Sequence, residues 1–270
     1  PEASLRGFWG LKDAFDPKGL LNPAKVLPER DKLQTPEPSL LPEGSFRAVA
    51  PRLARTEGGA SFPYDAEAAA KLLALASREH TGVLLRGKGS KLGETADTPV
   101  ISTTAMNRVL DVNAENMTVS VEAGLSWSDL QAAVREHGQV VPLWPPHGDQ
   151  ATVGGVVATD GSGPHRLLHG TCRDLVLGMR FALPGGEVAQ VGGRCVKNVS
   201  GYALDKLKIG SHGSLGCIVE VTFRTRPLPE RVLTLCLAPS TGDGTAAVKK
   251  LGTRVVASHL IPSAFEALSA

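Results

Sequence analysis

Cysteine is scarce and poorly spaced for chemistry: Cys172, Cys195, Cys217 and Cys236 stand 23, 22 and 19 residues apart in a chain of 270. No CxxC pair is present to close a zinc site or hold an iron–sulfur cluster, so buried free thiols in a reduced, cytosolic chain are expected. No apolar run approaches the roughly 18–20 residues that cross a bilayer, and no charged-then-apolar leader comes after Pro1 and Glu2, so no membrane span is expected. Charge of one sign is not in excess either: 29 Lys and Arg against 27 Asp and Glu leave a net charge of +2. Without a basic stripe interleaved with aromatics, nucleic acid is excluded as a partner. Among the seven histidines only His165 and His169 have a metal-like spacing. They lack the HExxH glutamate and lie in a Gly-Pro-flanked stretch, so they read as loop histidines and no metal is expected.

Glycine, by contrast, is concentrated. Of 30 glycines, 15 fall between Gly148 and Gly216, half of them in a quarter of the chain, so backbone there must approach something closely or turn often. A hydrophobic share of 42% with 21% charged residues is that of an ordinary globular protein, and the length suits one full domain with a remainder, or two small ones.

Along the chain, a short apolar-periodic piece (Phe8, Leu11, Phe15) is cut into turns by Asp16-Pro17, Gly19 and Asn22-Pro23. Three prolines in residues 35–44 then mark a linker. Ala69, Leu72, Leu73 and Ala76 give helical periodicity over 65–79, feeding a buried strand at 83–85 that enters the turn Arg86-Gly87. Met117, Val119 and Val121 alternate as a strand. Ser126 and Asp129 form a capping box for a helix that stops at Gly138 and buries Leu130, Ala133 and Val134. Leu175, Leu177, Met179, Phe181 and Leu183 share one face of a strand, and Pro184-Gly185-Gly186 turns it into a hairpin with 187–191. A last strand sets Cys217, Val219, Val221 and Phe223 against Glu220, Thr222, Arg224 and Arg226. The stretch beyond Pro229, including a helix at about 245–251, is too short to close a core and reads as the opening of another domain.

Three stretches can carry chemistry. In VLLRGKGSKLG, residues 83–93, a glycine-rich turn after a strand exposes successive N–H groups beside Arg86, Lys88 and Lys91, which suits a phosphate or, equally, a basic surface turn. A P-loop is ruled out because Gly82 to Lys88 matches GxxxxGK but Gly89 replaces the metal-binding Ser or Thr. Gly87, Gly89 and Gly93 are one residue too widely spaced for a Rossmann fingerprint. In residues 145–164, Gly154-Gly155 among small neighbours offers a surface on which a flat ligand can lie against backbone amides, or a place for tight helix packing. In residues 208–221, Gly210, Gly213 and Gly216 stand three apart just ahead of a strand.

Taken together and in order, these pieces resemble the FAD-binding domain of the vanillyl-alcohol-oxidase and p-cresol-methylhydroxylase (PCMH) family of flavoproteins over residues 46–229. RGKGS is similar to the first FAD pyrophosphate loop, and MNRVLDVNAENMTVSVEAGLSWSDLQAAV to the strand, strand and helix after it. ATVGGVVATDGSG with HGTCRDLVLG resembles the second flavin-binding segment, and KNVSGYALDKLKIGSHGSLGCIVEVTFRTRP the closing signature. PPHGDQATVGG and the Gly-Ser-Lys of the first loop resemble the glycolate-oxidase branch, in particular its smaller FAD-binding subunit. LKDAFDPKGLLNPAKVLP, residues 11–28, resembles the C-terminal tail of that enzyme's larger flavoprotein subunit, and IPSAFEAL the start of a cap domain. The division implied is a tail at 1–34, a linker at 35–45, the FAD domain at 46–229 and a truncated cap at 230–270.

The resemblance implies an α+β fold in two lobes, a small parallel α/β lobe and a larger mixed or antiparallel lobe carrying residues from about 140 to 226. The FAD site it implies comprises Arg86, Gly87, Lys88, Gly89, Ser90 and Lys91; Pro146, His147 and Gly148; Thr152, Val153, Gly154 and Gly155; Ala158, Thr159, Gly161, Ser162 and Gly163; and Gly213, Gly216, Cys217, Ile218 and Val219. The first loop has no histidine for a covalent bond to the flavin, so FAD is expected to be non-covalent. The implied reaction is hydride removal from the alpha carbon of a small 2-hydroxy acid, with electrons passed to other flavoprotein or iron–sulfur subunits. The alternative is a non-catalytic FAD-binding relay or structural subunit. No catalytic base is nominated, because relatives supply it largely from the cap. The expected location is the cytoplasm, with peripheral association at the inner membrane left open.

Overall fold

A computed structural model describes residues 54–57, 59–92, 98–193, 205–236 and 244–266, together with Asp13 and residues 16–18. Apart from those four, the expected tail and linker lie outside the described residues, as do residues 93–97, the first of which ends the first loop stretch, and the first eight residues of the closing signature.

Strands β1 (Ala54–Glu57) and β2 (Ala60–Pro63) form an antiparallel hairpin. Helix α1 (Ala66–Arg78) starts at Asp65, whose carboxylate accepts from Ala68 N at 2.7 Å and satisfies an otherwise orphan first-turn donor. It leads into β3 (Leu84–Arg86), which pairs parallel with β4 (Val100–Ser102), and β4 pairs parallel with β2. The small sheet therefore runs β1-β2-β4-β3 and is parallel except at its hairpin edge. The four expected inward residues of α1 are buried, and so are Ala66, Ala70 and Leu75. The wider apolar stripe has a cause: α1 packs on Leu85 and Ile101 and also on Ala182, Cys217 and Val219 of the second sheet.

That second sheet begins earlier than residue 140. Strands β5 (Val109–Asn113) and β6 (Thr118–Glu122) belong to it. Helix α2 (Trp127–Arg135) comes next, capped by Ser126, then the short β7 (Gln139–Val140), α3 (Val153–Ala158), α4 (Arg166–His169) and α5 (Cys172–Leu175). Strands β8 (Val176–Ala182) and β9 (Val188–Gly192) make the expected hairpin, and after α6 (Asp205–Lys208) comes β10 (Cys217–Arg224). The order is β5-β6-β10-β8-β9, antiparallel throughout. β6 lies inside this sheet because both its faces are covered: Val119 and Val121 enter the core, while Ser120 bonds Thr222 at 2.8 Å and Glu122 accepts from Arg108 N at 2.7 Å. Helices α2 and α3 cover the core face, where Trp127 meets Phe223 edge-on at 5.9 Å.

The strict alternation expected in β10 is broken once. Ile218 pairs with Phe181 and Glu220 with Arg180, so β10 carries an extra residue at Val219. Cys217 and Val219 accordingly face the α1 core, whereas Val221 and Phe223 face the α2–α3 core. One bulge thus lets β10 serve both cores. Beyond it, β11 (Arg226–Pro227) pairs with β7. Residues 231–236 have no regular structure, with Val232 78% and Leu233 82% exposed, and α7 (Gly244–Val256) runs further than the expected helix. No helix among the described residues is long and apolar enough to cross a membrane.

Candidate functional site

The three glycine-rich stretches, more than a hundred residues apart at their extremes, meet at one cavity. The loop after β3 supplies one wall, the start of α3 and its C-terminal end a second, and the turn before β10 a third. Each wall is pinned to the next. Ser102 Oγ donates to Gly87 O at 3.3 Å, tying β4 to the first loop, and Lys91 Nζ donates to Thr159 Oγ1 at 3.2 Å, tying that loop to the second segment. The third segment docks on the end of α3 through Gly210 N to Val157 O at 3.1 Å and His212 N to Ala158 O at 2.8 Å. Gly87 has to be glycine for this approach, since a Cβ there would collide with the Thr152 side chain.

Of the expected FAD residues, Arg86, Gly87, Lys88, Gly89, Ser90, Lys91, Thr152, Gly154, Gly155, Ala158, Thr159, Gly213, Gly216, Cys217 and Ile218 line this cavity. Pro146, His147, Gly148, Gly161, Ser162 and Gly163 line a separate open groove with Trp144, His165 and Arg166. Lys91 and Thr159 line both, so the two spaces adjoin at that hydrogen-bonded pair. Val153 and Val219 line neither; both are fully buried in the cores, because one anchors α3 on the larger sheet and the other is the bulge residue facing α1. Leu85, Leu92, Thr103 and His212 also line the cavity, although they were not among the expected site residues. His212 sits between Gly210 and Gly213 and was reachable by interpolation; Thr103 comes directly after β4 and carried no signal.

The backbone donors are distributed unlike the expectation for Gly154-Gly155. Val153 N donates to Leu125 O at 2.9 Å, Gly154 N to Ala123 O at 2.7 Å and Gly155 N to Thr152 Oγ1 at 3.2 Å. The first turn of α3 therefore spends its N–H groups inside the protein and offers a ligand shape, not hydrogen bonds. In the first loop, no described residue accepts from the N–H of Lys88, Gly89, Ser90 or Lys91, and Leu92 N alone closes the turn to Gly89 O at 3.1 Å. Those donors, with the charges of Arg86, Lys88 and Lys91, suit an anion. The two glycines of the pair divide the roles proposed for them: a Cβ on Gly154 would lie 2.8 Å from Ala123 Cβ, whereas one on Gly155 would meet only Thr152 Oγ1 at 3.2 Å and otherwise project into open space.

Burial lowers the proton affinity of Lys91, offset in part by the Cys172 thiol, and burial pushes the Cys172 and Cys217 thiols up to about 12. Cys217 is therefore a neutral wall group at ordinary pH and no nucleophile. Asp160, at φ +49 on the groove side, is pushed upward by burial, and its Oδ1 has no hydrogen-bond partner among the described residues. In the groove, Trp144 is 65% exposed with its ring 5.0 Å from that of His165, which lies 6.3 Å from His169. Among the described residues no group of three metal-binding side chains forms, so this histidine pair stays without a third ligand.

An anionic group suits the first loop, and known proteins point the same way. Residues 59–192 match the family described as an FAD binding domain. The chain is 30% identical over 210 residues to glycolate oxidase subunit GlcD of Bacillus subtilis (strain 168), covering 76% of this chain and 44% of that protein. It is 38% identical over 144 residues to the mitochondrial D-lactate dehydrogenase [cytochrome] of Arabidopsis thaliana (53% and 25%), and 32% over 160 to glycolate oxidase subunit GlcE of Escherichia coli (strain K12) (58% and 46%). The chain thus spans less than half the length of each. Among solved structures, an alkyldihydroxyacetonephosphate synthase superposes with a TM-score of 0.55 at 23% identity over 64% of this chain and 32% of that one, a likeness of fold.

Proposed function

We propose that this chain, whose residues 59–192 match the family described as an FAD binding domain, is the flavin-holding part of an oxidase or dehydrogenase of small 2-hydroxy acids, working with further subunits or domains. The observation that carries the reading is the convergence of three glycine-rich segments on one cavity whose first loop keeps four N–H groups and three cations for an anion. In this reading residues 88–91 bind the diphosphate of FAD, Gly155 leaves room for the flat part of the cofactor, and Lys91 with Thr159 stands where the cavity meets the groove. When bound, FAD supplies the acceptor for the hydride on the alpha carbon of the hydroxy acid. The groove, with Trp144, His165 and Arg166, is the side from which an acid would approach. The neutral Cys217 thiol and the absence of histidine from RGKGS favour non-covalent attachment.

Titration of the purified chain with FAD, monitored by quenching of flavin fluorescence, tests the cofactor half; a chain that stays colourless with excess FAD refutes it. Anaerobic mixing of the loaded chain with glycolate or D-lactate tests the rest. Negligible bleaching by the chain alone, restored by the remaining polypeptide or partner subunits, is the expected result. Loaded protein that no 2-hydroxy acid reduces even in the assembled complex would refute the substrate class.

A further inference from the structure

Residues 16–18 come well before the two sheets in sequence, yet they are seated against them. Asp16 is 1% exposed, and the turn at Pro17 and Lys18 brings the lysine Nζ to 2.6 Å from Ser77 O, to which it donates. Ser77 lies in the last turn of α1. An aspartate is almost never buried to that degree unless it is engaged, and a lysine at a helix C-terminus complements the partial negative charge of the carbonyls there. We propose that the Asp16-Pro17-Lys18 turn is a docking element and that the C-terminal end of α1 is its seat, so that the chain's own N-terminal segment clasps the domain across residues 19–53.

The seat offers acceptors to a donor. Leu75 O and Ala76 O are taken by Glu79 N at 3.0 Å and Thr81 N at 2.9 Å, whereas Ser77 O has His80 N at a longer 3.4 Å and keeps room for a stronger donor. His80, at φ +51, ends the helix directly afterwards as a left-handed residue. Glu79 adds a carboxylate whose Oε2 is buried and has no hydrogen-bond partner among the described residues. Arg78 in the same turn opposes a second cation, so the acceptors select the lysine and net charge does not. A single lysine–carbonyl bond at a surface is cheap to break. Here Pro17, with its fixed φ, stands between the buried Asp16 and Lys18 and presents the two side chains together. Turn and seat also belong to one polypeptide, so the turn meets its seat at an effective concentration that a free peptide does not reach, and a small contact suffices. The seat is joined to the cavity as well: α1 packs on Leu85 and Cys217, which line it.

The test cuts the full chain after it has folded. A protease recognition sequence inserted between Leu40 and Leu41 allows cleavage of the purified protein, and size-exclusion chromatography reports whether the released N-terminal fragment travels with the rest. Retention is expected for the parent and for Lys18→Arg, which keeps the donor. Lys18→Glu, which sets a negative charge against the helix carbonyls, should lower the retained fraction by about fivefold or more. Hydrogen exchange of the uncut proteins should quicken in Lys18→Glu at residues 75–81 and stay unchanged along the rest of α1. A parent fragment that separates on cleavage overturns the docking. A fragment retained equally in parent and Lys18→Glu, with equal exchange at 75–81, is held elsewhere and overturns the seat. Light scattering of the uncut parent should give the mass of one copy; a two-copy mass that falls to one on cleavage would transfer the turn to a neighbouring copy and overturn the clasp within one chain. Should Lys18→Glu not fold, cleavage of the parent still decides the docking and Lys18→Ala the seat. FAD takes no part in these measurements, so their failure leaves the cofactor reading intact.

Discussion

Gly154 and Gly155 are neighbours with opposite expected fates, and substituting each separately distinguishes packing from ligand contact. At Gly154 a methyl group would stand 2.8 Å from Ala123 Cβ and 3.0 Å from Ala123 O, both on the segment directly after β6. Backbone cannot swing away as a long side chain can, so α3 must lift from the sheet, and the Gly154 N to Ala123 O bond of 2.7 Å would lengthen with it. Overpacking of this kind costs about 1–3 kcal/mol, against a helix-propensity gain of about 1 kcal/mol for Ala over Gly. The net loss of up to about 2 kcal/mol corresponds to a melting temperature lower by about 4–8 °C in a domain of this size. At Gly155 the same methyl meets only Thr152 Oγ1 at 3.2 Å, so Gly155→Ala should melt at or slightly above the parent temperature. Its cost should appear in binding instead. Gly155→Val, whose branches fill the open space, should weaken FAD by at least about tenfold, or about 1.4 kcal/mol, with an unchanged circular dichroism spectrum. Scanning fluorimetry without flavin and fluorescence titration with FAD read the two effects separately. A Gly155→Val protein that loses secondary structure, or a Gly154→Ala protein that melts normally yet fails to bind FAD, would refute this division.

Acid precipitation of the FAD-loaded chain should release the flavin to the supernatant; yellow colour kept in the pellet would show a covalent bond. Gly163→Ala should be strongly destabilising, because Gly163 holds φ +69 and a Cβ there would collide with Trp144 O; an unchanged melting temperature would contradict that geometry. Lys208 is lowered in the fold from about 10.5 to about 7, so the unfolded chain binds the extra proton between those values and stability should rise with pH across that window. Relative to Lys208→Met, the flavin-free parent should therefore gain stability, by a few kcal/mol at most, as pH rises from 7 to 10; parallel curves in chemical denaturation would refute the buried neutral amine.

Where a stretch of sequence had only its own periodicity to satisfy, it was legible. The helix at 65–79, the strand before Arg86, the Ser126 cap and the 175–191 hairpin all appear within a residue or two of expectation. Partnership across the chain was not legible. Nothing local says that residues 118–122 pair with 220–224, a hundred residues on, and that pairing moves the boundary of the larger lobe back to Val109. The bulge at Val219 was hidden for a related reason: alternation from Cys217 to Phe223 continues unbroken in the sequence while the strand changes which core its odd residues face. The site shows the same split. The glycines advertised a close approach, but which N–H groups remain for a ligand depends on Ala123 and Leu125, which lie outside the three glycine-rich stretches. Lys208, in the run DKLKIG, carries no sign in sequence of being buried.

The glycine concentration consequently has more than one physical cause. Gly87, Gly154 and Gly216 let protein approach protein, since a Cβ on Gly216 would meet Ala182 O at 2.8 Å, whereas Gly155 leaves space for something that is not protein. Replacing any of the first three perturbs the walls themselves, whereas Gly155 governs what the walls enclose. The walls also come from both sheets, since the first loop continues from β3 of the small sheet and the third segment leads into β10 of the large one. Helix α1 already joins those sheets through Leu85, Ile101, Ala182 and Val219. A ligand in the cavity therefore bridges two units that a shared core has fixed in register, and its binding energy need not be spent on bringing them together.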